Sequence, residues 1–191
     1  RIGIYDYYLP MIGMVGLEQG INTAELSADS VESLRERLYA LKDASKQVGE
    51  VISSQTALAT GEIDILFGGG EWLTAVVATE NPNLDWTIPK EGAVRWAQSI
   101  AVLADSERKD LALEFVKYVT SPEGQARLAT SSCYWGMPAN AEAGQLLTDD
   151  QKAILRWDQQ AEYLQKTQLY PVPDAELDRA MQDLWTDMIQ H

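Results

Sequence analysis

The sequence has little of what most catalytic and metal-binding sites require. Its 191 residues include one cysteine, Cys133, and one histidine, His191. A single cysteine excludes an internal disulfide and a cysteine-rich zinc site. Because the histidine is the last residue, where a backbone is usually frayed, histidine-dependent catalysis and a histidine metal centre are not expected. The sequence predicts no metal, no cofactor and no catalytic residue.

Basic side chains and long apolar runs are also scarce. The chain has 15 Lys and Arg against 29 Asp and Glu, a net charge of −14 at pH 7. Without a basic stripe to neutralise phosphates, nucleic-acid binding is not expected. An acidic surface does not suit adhesion to anionic lipid either. The longest apolar stretch, residues 9–17, is far shorter than the ~20 residues that span a bilayer, and no signal peptide is visible.

What is present is an alternation of strand-like and helix-like segments. The β-branched and aromatic start of the chain predicts a strand that runs into a loop. Strands alternating with helices predict an α/β architecture with mostly parallel pairing. Further strands are predicted at 62–67, 84–88 and 94–103, and further helices at 51–60, 71–79, from Asp105 or Ser106 onward, after Ser121-Pro122, and near 149–165 and 174–190.

The clearest predicted element is a helix over residues 30–48. Asp29 and Glu32 form a plausible capping box at its start. Apolar residues then recur at spacings of three and four, which places them on one face of the helix. They are Val31, Leu34, Leu38 and Leu41.

Two groups of residues at predicted strand ends could bind a ligand. Tyr5, Asp6, Tyr7 and Tyr8 lie at the end of the first strand, and aromatic rings beside a carboxylate suit a cationic or sugar-like ligand. A half-buried strand with one Asp in a turn is the alternative. The second group is a run of three glycines that leads into Glu71. A carboxylate at a helix N-terminus would repel phosphate, so this is either a ligand-facing turn or a plain strand-to-helix turn.

Two further groups contain tryptophan. On the predicted strand 94–103, Trp96 and Gln98 face the same way and could form an aromatic wall with a hydrogen-bonding neighbour, or Trp96 could be core. The loop after the SPEGQ helix contains Tyr134 and Trp135, and it either caps a core or lines a cleft. Since no group pairs a nucleophile with a base, the sequence does not predict an enzyme, and a carboxylate-dependent hydrolase is the weakest alternative.

Four stretches of the sequence together resemble the extracellular solute-binding proteins of ABC importers, in the spermidine/putrescine-binding branch. They are YDYYLP, GEIDILFGGGEW, IPKEGAVRWAQSIAVLADSERKDLALEFVKYVTSPEGQARLAT and CYWGMPAN. The resemblance implies a type II periplasmic-binding-protein fold of three αβα layers, with two lobes that close on a ligand. It assigns 1–96 to most of the second lobe, 97–140 to a segment that returns to the first lobe, and 141–191 to helices that pack across the lobes. The first lobe would be largely missing.

The resemblance also implies a function. The protein would capture a small polar or cationic solute, polyamine-like or amino-acid-like, and deliver it to a membrane permease. It would be periplasmic, or extracellular and associated with the membrane. Trp96 matches a tryptophan that packs against a polyamine, and Gln98 stands where the family has an aspartate. Because a neutral side chain cannot replace a charge-assisted hydrogen bond of about 1.5–3 kcal/mol, transport is better supported than a polyamine cargo.

The resemblance also implies which residues bind the ligand. The implied binding residues are Tyr5, Asp6, Tyr7, Glu71, Trp96, Gln98, Tyr134 and Trp135. With a half-site, the chain alone is expected to bind ligand weakly, and it could pair with a copy of itself. The alternative is an interaction or sensory module that keeps the fold without transport.

Overall fold

Strands and helices alternate along the chain, as the sequence predicts. The structure, a computed structural model, describes residues 1–132 and 135–191. The strands are β1 (Ile2–Tyr5), β2 (Ser45–Gly49), β3 (Ile65–Phe67), β4 (Ala93–Arg95) and β5 (Thr167–Leu169). The helices are α1 (Tyr8–Glu18), α2 (Ala28–Ser33), α3 (Arg35–Ala44), α4 (Val51–Ala59), α5 (Glu71–Ala78), α6 (Lys109–Thr120), α7 (Pro122–Ala129), α8 (Asp149–Leu155), α9 (Gln160–Lys166) and α10 (Ala175–Gln190).

The chain divides into two units, each with its own core. Unit 1 contains Arg1–Gly69, Thr87–Trp96 and Ala161–His191, and unit 2 contains Gly70–Trp86 and Ala97–Gln160. The assignment of sequence segments to lobes stays a prediction. None of the helices in the described part of the chain combines the length and the apolar character that crossing a bilayer requires.

Unit 1 is built on a parallel sheet with strand order β2-β1-β3. The central strand is rich in β-branched and aromatic residues, which favour extended backbone. Ile4 pairs with Val48 on one side and Phe67 on the other. At Gly3 a Cβ atom would lie 2.6 Å from Ile63 Cδ1, so the glycine leaves room for the isoleucine. These parallel ladders confirm the predicted pairing.

Helices α1, α2, α3 and α10 supply the core that packs with β1 in unit 1. In α10, Met181, Leu184, Trp185 and Met188 recur at helical spacing, and each is at most 5% exposed. They pack with buried residues of the other elements, where a fully buried aliphatic side chain contributes about 1.5–3 kcal/mol. Those residues are Ile4, Met11, Ile12, Val15, Leu26, Val31, Leu34 and Leu38.

A second, two-stranded parallel sheet joins β4 to β5 within unit 1. Helix α1 contacts β4. A Cβ atom at Gly13 would lie 3.1 Å from Val94 Cγ2, so this glycine permits the close approach. Thr23 holds β5 in place, because its hydroxyl donates to the Leu169 carbonyl at 2.8 Å and its backbone N–H donates to Gln168 Oε1 at 2.9 Å.

Unit 2 is helical. Helix α5 contacts α8, and α7 contacts both α6 and the short 3-10 turn Ala141–Gln145. A Cβ atom at Gly124 would lie 1.9 Å from the Tyr118 carbonyl oxygen, so only glycine fits where α7 begins against α6. The core residues are Ala75, Ala126, Ala129, Trp135, Ala143, Leu147 and Leu155.

Helix α6 leaves its largest apolar side chains at the surface of unit 2, whereas Val116 and Val119 are half-buried. Leu111, Phe115 and Tyr118 recur at helical spacing, yet they are 64%, 58% and 46% exposed. The sequence predicts this helix, but its apolar pattern alone would place these residues in a core.

The predicted helix 30–48 is wrong in its limits and in its cap. The helical region breaks at Leu34, and from Ser45 the chain forms β2 because it pairs with β1. The capping box is formed by Ser27 and Ser30, whose side chains accept from each other's backbone N–H at 3.3 and 2.8 Å. Glu32 instead pairs with Arg35 at 2.6 Å.

Two predicted strands are also corrected. Of the predicted strand 94–103, only β4 forms, and it ends at Arg95 because its partner strand β5 ends at Leu169. Beyond Arg95, the side chains of Ile100 and Leu103 are 44% and 80% exposed. Residues 84–88 do not form a strand. There the Trp86 indole donates to the Ile154 carbonyl at 2.8 Å, and the loop is held by α8 instead of by a ladder.

The predicted helix 149–165 is interrupted. Arg156 has a left-handed backbone with φ 54°, which ends α8 before α9 begins. The helices predicted at 51–60, at 71–79, after Ser121 and at 174–190 are confirmed within a residue or two. The Ser121 side chain accepts from the Gly124 backbone N–H at 3.1 Å and caps α7.

Candidate ligand-binding site

Five aromatic side chains meet at one edge of unit 1, and we call them the aromatic cluster. Tyr5 ends β1, and Tyr7 and Tyr8 lie at the start of α1. Trp96 follows β4 and Tyr170 follows β5, and the Tyr170 backbone N–H donates to the Arg95 carbonyl at 2.9 Å. The carboxyl ends of β1, β4 and β5, strands of two separate sheets, thus bring the rings together, and the carboxyl ends of strands are where α/β folds bind ligands.

Tyr7 is the centre of the aromatic cluster. Its ring centroid lies 6.1 Å from that of Tyr5 and 6.0 Å from those of Tyr8 and Tyr170, with edge-to-face geometry in each pair. The ring centroids of Tyr170 and Trp96 lie 6.1 Å apart. Tyr7 is 36% exposed and the other four rings are half-buried, so solvent reaches each of them. The spacings are those of favourable aromatic pairs.

Asp6 holds a carboxylate beside these rings. Its backbone N–H donates to the Gly49 carbonyl at 2.9 Å, and the Trp185 indole N–H donates to its Oδ1 at 2.8 Å. The Asp6 side chain is exposed, whereas Trp185 is 5% exposed. The core of unit 1 therefore orients a charged group that solvent can reach.

A second carboxylate, Asp178, is engaged by neutral donors. The Tyr8 hydroxyl donates to Asp178 Oδ1 at 2.7 Å, and the Gln182 amide donates to Oδ2 at 2.7 Å. The hydrogen bond to Asp178 and burial raise the pKa of the Tyr8 phenol. Asp178 thus fixes the Tyr8 ring from the side of α10.

The surroundings of Tyr5 are acidic. Burial raises the pKa of the Tyr5 phenol most, and the neighbouring Tyr7, Asp6 and Glu50 raise it further. Arg95 lies beside Trp96 in the chain, but its guanidinium donates to the Thr167 hydroxyl at 3.0 Å and to the Thr167 carbonyl. This edge of unit 1 can therefore attract a cation.

The other predicted site residues that the structure describes lie in unit 2. Glu71 is the first residue of α5 and is half-buried. Burial raises the pKa of its carboxyl, and a hydrogen bond from its own backbone N–H partly offsets this by lowering the pKa. Gln98 is exposed and lines an open groove of about 640 Å³ with residues of α6 and α7. Trp135 is 8% exposed and belongs to the unit 2 core. Tyr134 lies outside the described residues.

The structure thus brings Tyr5, Asp6, Tyr7 and Trp96 into one cluster of unit 1. Sequence reasoning missed Tyr170 and Trp185. Tyr170 precedes the irregular segment Pro171-Val172-Pro173 and belongs to no motif. Trp185 has the helical spacing of an ordinary core residue, so the local sequence identifies neither residue as part of a site. Within the described residues, no group of three or more His, Cys, Asp or Glu side chains could hold a metal ion.

Comparisons with known proteins give a consistent result. A family model described as bacterial extracellular solute-binding protein matches residues 17–155. The putrescine-binding periplasmic protein PotF of Escherichia coli (strain K12) is 29% identical over 134 residues, which are 68% of this chain and 36% of PotF.

Solved structures resemble the chain along almost its whole length. A putative spermidine/putrescine ABC transporter from Listeria monocytogenes has a TM-score of 0.77 at 16% identity and covers 98% of this chain. The spermidine/putrescine ABC transporter substrate-binding protein PotD from Streptococcus pneumoniae strain Canada MDR_19A has a TM-score of 0.76 at 18% identity and covers 99%. This chain spans 57% of each of those two chains.

Proposed function

The chain belongs to the bacterial extracellular solute-binding proteins and has a type II periplasmic-binding-protein fold, and we propose that it acts as the substrate-binding part of an ABC importer. In this role it captures a small organic cation outside the cytoplasmic membrane and delivers it to a membrane permease. It performs no chemistry on the solute. In a bacterium with two membranes its place is the periplasm.

The observation that carries this proposal is the aromatic cluster with the Asp6 carboxylate beside it. Aromatic faces attract cations through the ring quadrupole, and a carboxylate adds a charge-assisted hydrogen bond. The relatives named for putrescine and spermidine support an amine as the cargo class. Tyr5, Asp6, Tyr7 and Trp96 are the proposed contacts in unit 1.

The proposed contacts in unit 2 are Glu71 and Gln98, which supply polar groups. Tyr134 is proposed as a further contact on the family resemblance, whereas Trp135 packs in the core of unit 2. The net charge of −14 favours cationic cargo over anionic cargo through the long-range field of the protein.

A fluorescence titration tests the proposal. The product of the entire reading frame that encodes this chain is titrated with putrescine, spermidine and several amino acids, with tryptophan emission as the readout. We expect a saturable change with the amines, because Trp96 lies in the aromatic cluster, and we expect Trp96→Ala to weaken the apparent affinity at least tenfold.

The matched control is Trp157→Phe, which removes an indole from unit 2 outside the proposed contacts. This variant should keep the amine response. If no solute class changes the emission of the parent protein, or if Trp96→Ala binds amines as well as the parent does, the proposed binding role is wrong.

A further inference from the structure

The open groove of unit 2 beside α6 and α7 is lined without a single charged side chain. It has a volume of about 640 Å³, and its apolar lining comes from Ile100, Val119 and Leu128. Across the chain, by contrast, 23% of the residues are charged. Charged residues are depleted where a protein surface becomes fully buried against another polypeptide. The groove therefore has the composition of a buried contact, although solvent reaches it.

The groove continues into the apolar side chains of α6. Phe115 and Leu111 precede Val119 at spacings of four, which puts the three residues on one face of the helix. Leu111 and Phe115 are 64% and 58% exposed, and the neighbouring Tyr118 is 46% exposed. A contiguous exposed apolar surface marks a place where another polypeptide packs. We call the following residues the α6 surface: Ile100, Leu111, Phe115, Tyr118, Val119 and Leu128.

The chain segment at the rim of the groove has the sequence of a buried strand. Residues 100–104 form the continuous apolar run IAVLA, which is typical of a strand that is covered on both faces. In the part of the chain that the structure describes, residues 99–104 belong to no strand, and Ile100 and Leu103 are 44% and 80% exposed. A segment of this kind can pair with an added strand through its backbone.

The length of the chain and its charge indicate what covers the α6 surface. This chain spans 57% of each of the two solved structures that share its fold, so both contain a large part that has no counterpart here. A second copy of the chain is the weaker candidate, because each copy carries a charge of −14 and two copies repel each other. A segment of the same polypeptide meets the surface at a high effective concentration and avoids the entropy cost of joining separate molecules.

We infer that the α6 surface is covered by polypeptide from the same reading frame, namely the part of the fold that this chain does not span in its structural neighbours. That polypeptide contributes a strand that pairs with residues 99–103 and apolar side chains that contact Phe115 and fill the groove. Recognition is apolar and through the backbone, because the groove offers no charge. The inference goes beyond the solute-binding role and holds for any cargo.

The same substitution in two proteins of different length tests this inference. Phe115→Ala is compared by urea denaturation in the 191-residue chain and in the product of the entire reading frame. In the 191-residue chain the folding equilibrium constant should fall by less than about threefold, as for an exposed position. In the entire product it should fall by roughly thirtyfold or more, because the ring is then buried.

Leu164→Ala is the matched control. Leu164 lies on α9 of unit 1 and is 58% exposed, the same fraction as Phe115, but it is not part of the α6 surface. Its substitution should change the folding equilibrium constant by less than about threefold in both proteins. A loss in the entire product as large as that of Phe115→Ala would contradict a contact that is specific to the α6 surface.

Hydrogen exchange gives a second readout that needs no variant. The amides of residues 99–103 should exchange roughly a hundredfold or more slowly in the entire product than in the 191-residue chain, because a strand ladder protects them. The amides of β1 serve as the reference, since β1 pairs with β2 and β3 within this chain and should be protected in both proteins.

Several outcomes overturn the inference. They are a Phe115→Ala effect of the same size in both proteins, rapid exchange of residues 99–103 in the entire product, and a reading frame that encodes no polypeptide beyond these 191 residues. Sedimentation velocity tests the second copy: a 191-residue chain that dimerises, and that Phe115→Ala converts to a monomer, would make a second copy the occupant and overturn the inference as well. The solute-binding role is judged separately by the amine titration.

Discussion

Glu71 lies half-buried at the start of α5, and burial raises the pKa of its carboxyl above the ordinary value of 4.5. A carboxyl with a raised pKa in the folded protein favours the protonated form. Its contribution to stability is fully present below pH 4.5 and is lost as the pH rises through the folded-state pKa. An ionised carboxylate that lowers the stability of the protein at neutral pH is typical of a functional position.

Replacing this carboxyl should stabilise the protein at neutral pH. Glu71→Gln removes the ionisation, so we expect a higher free energy of unfolding than in the parent at pH 7 and a difference that vanishes at pH 4 and below. Urea denaturation at the two pH values measures this. Glu80→Gln, an exposed neighbour just after α5, is the control. A variant less stable than the parent at pH 7 would show that the ionised carboxylate makes a favourable contact.

The N-terminus of α2 shows how an element is set by its cap. Ser27 has extended backbone, φ −135° and ψ 167°, which an N-cap requires, and its side chain exchanges hydrogen bonds with Ser30. Asp29 lies inside the first turn, where a carboxylate interacts only with the helix dipole. The sequence pattern placed the capping box two residues too late because Asp29 and Glu32 have the same spacing as Ser27 and Ser30.

This cap can be tested by two substitutions. Ser27→Ala should lower the free energy of unfolding by about 1 kcal/mol, because a backbone N–H of α2 loses its partner. Asp29→Asn should lower the free energy of unfolding by only about 0.3 kcal/mol, because it removes a favourable interaction of the carboxylate with the helix dipole. Chemical denaturation of both variants gives the comparison. A larger loss for Asp29→Asn than for Ser27→Ala would assign the cap to Asp29 after all.

Within the described residues there are two separate cores, and two α-helices, α6 and α9, contain no buried residue. Leu155 is 0% exposed in unit 2, and Leu184 is 1% exposed in unit 1. In α6, by contrast, Phe115 is 58% exposed although the helix has a clear apolar face. An amphipathic pattern therefore does not by itself tell which residues stabilise this chain.

Hydrogen exchange can separate the contributions of the two cores. Leu155→Ala should lower the stability of unit 2 by about 2–5 kcal/mol and speed amide exchange in that unit before unit 1. Phe115→Ala should change the free energy of unfolding by less than about 0.5 kcal/mol, as for other exposed positions. Equal acceleration in both units of Leu155→Ala would mean that the two cores unfold as a single cooperative unit.

Much of the candidate site in unit 1 was accessible from the sequence. Tyr5, Asp6 and Tyr7 follow a recognisable strand, and Trp96 stands in a segment with a strong family resemblance. Tyr170 and Trp185 were not accessible, because their partners Tyr7 and Asp6 are more than 160 residues away along the chain. Contacts of that range depend on how β5 and α10 pack, which leaves no pattern in the local sequence.

The α/β alternation, the limits of α4, α5, α7 and α10, the acidic charge and the aromatic residues at the end of β1 could be predicted from the sequence alone. These follow from local periodicity, turn residues and composition, which act within a few residues. Only the tertiary structure decides that residues 45–49 form a strand, that β4 ends at Arg95, and that the largest apolar side chains of α6 stay exposed. The reason is that a ladder needs a partner strand and burial needs an opposing surface, and both come from distant parts of the chain.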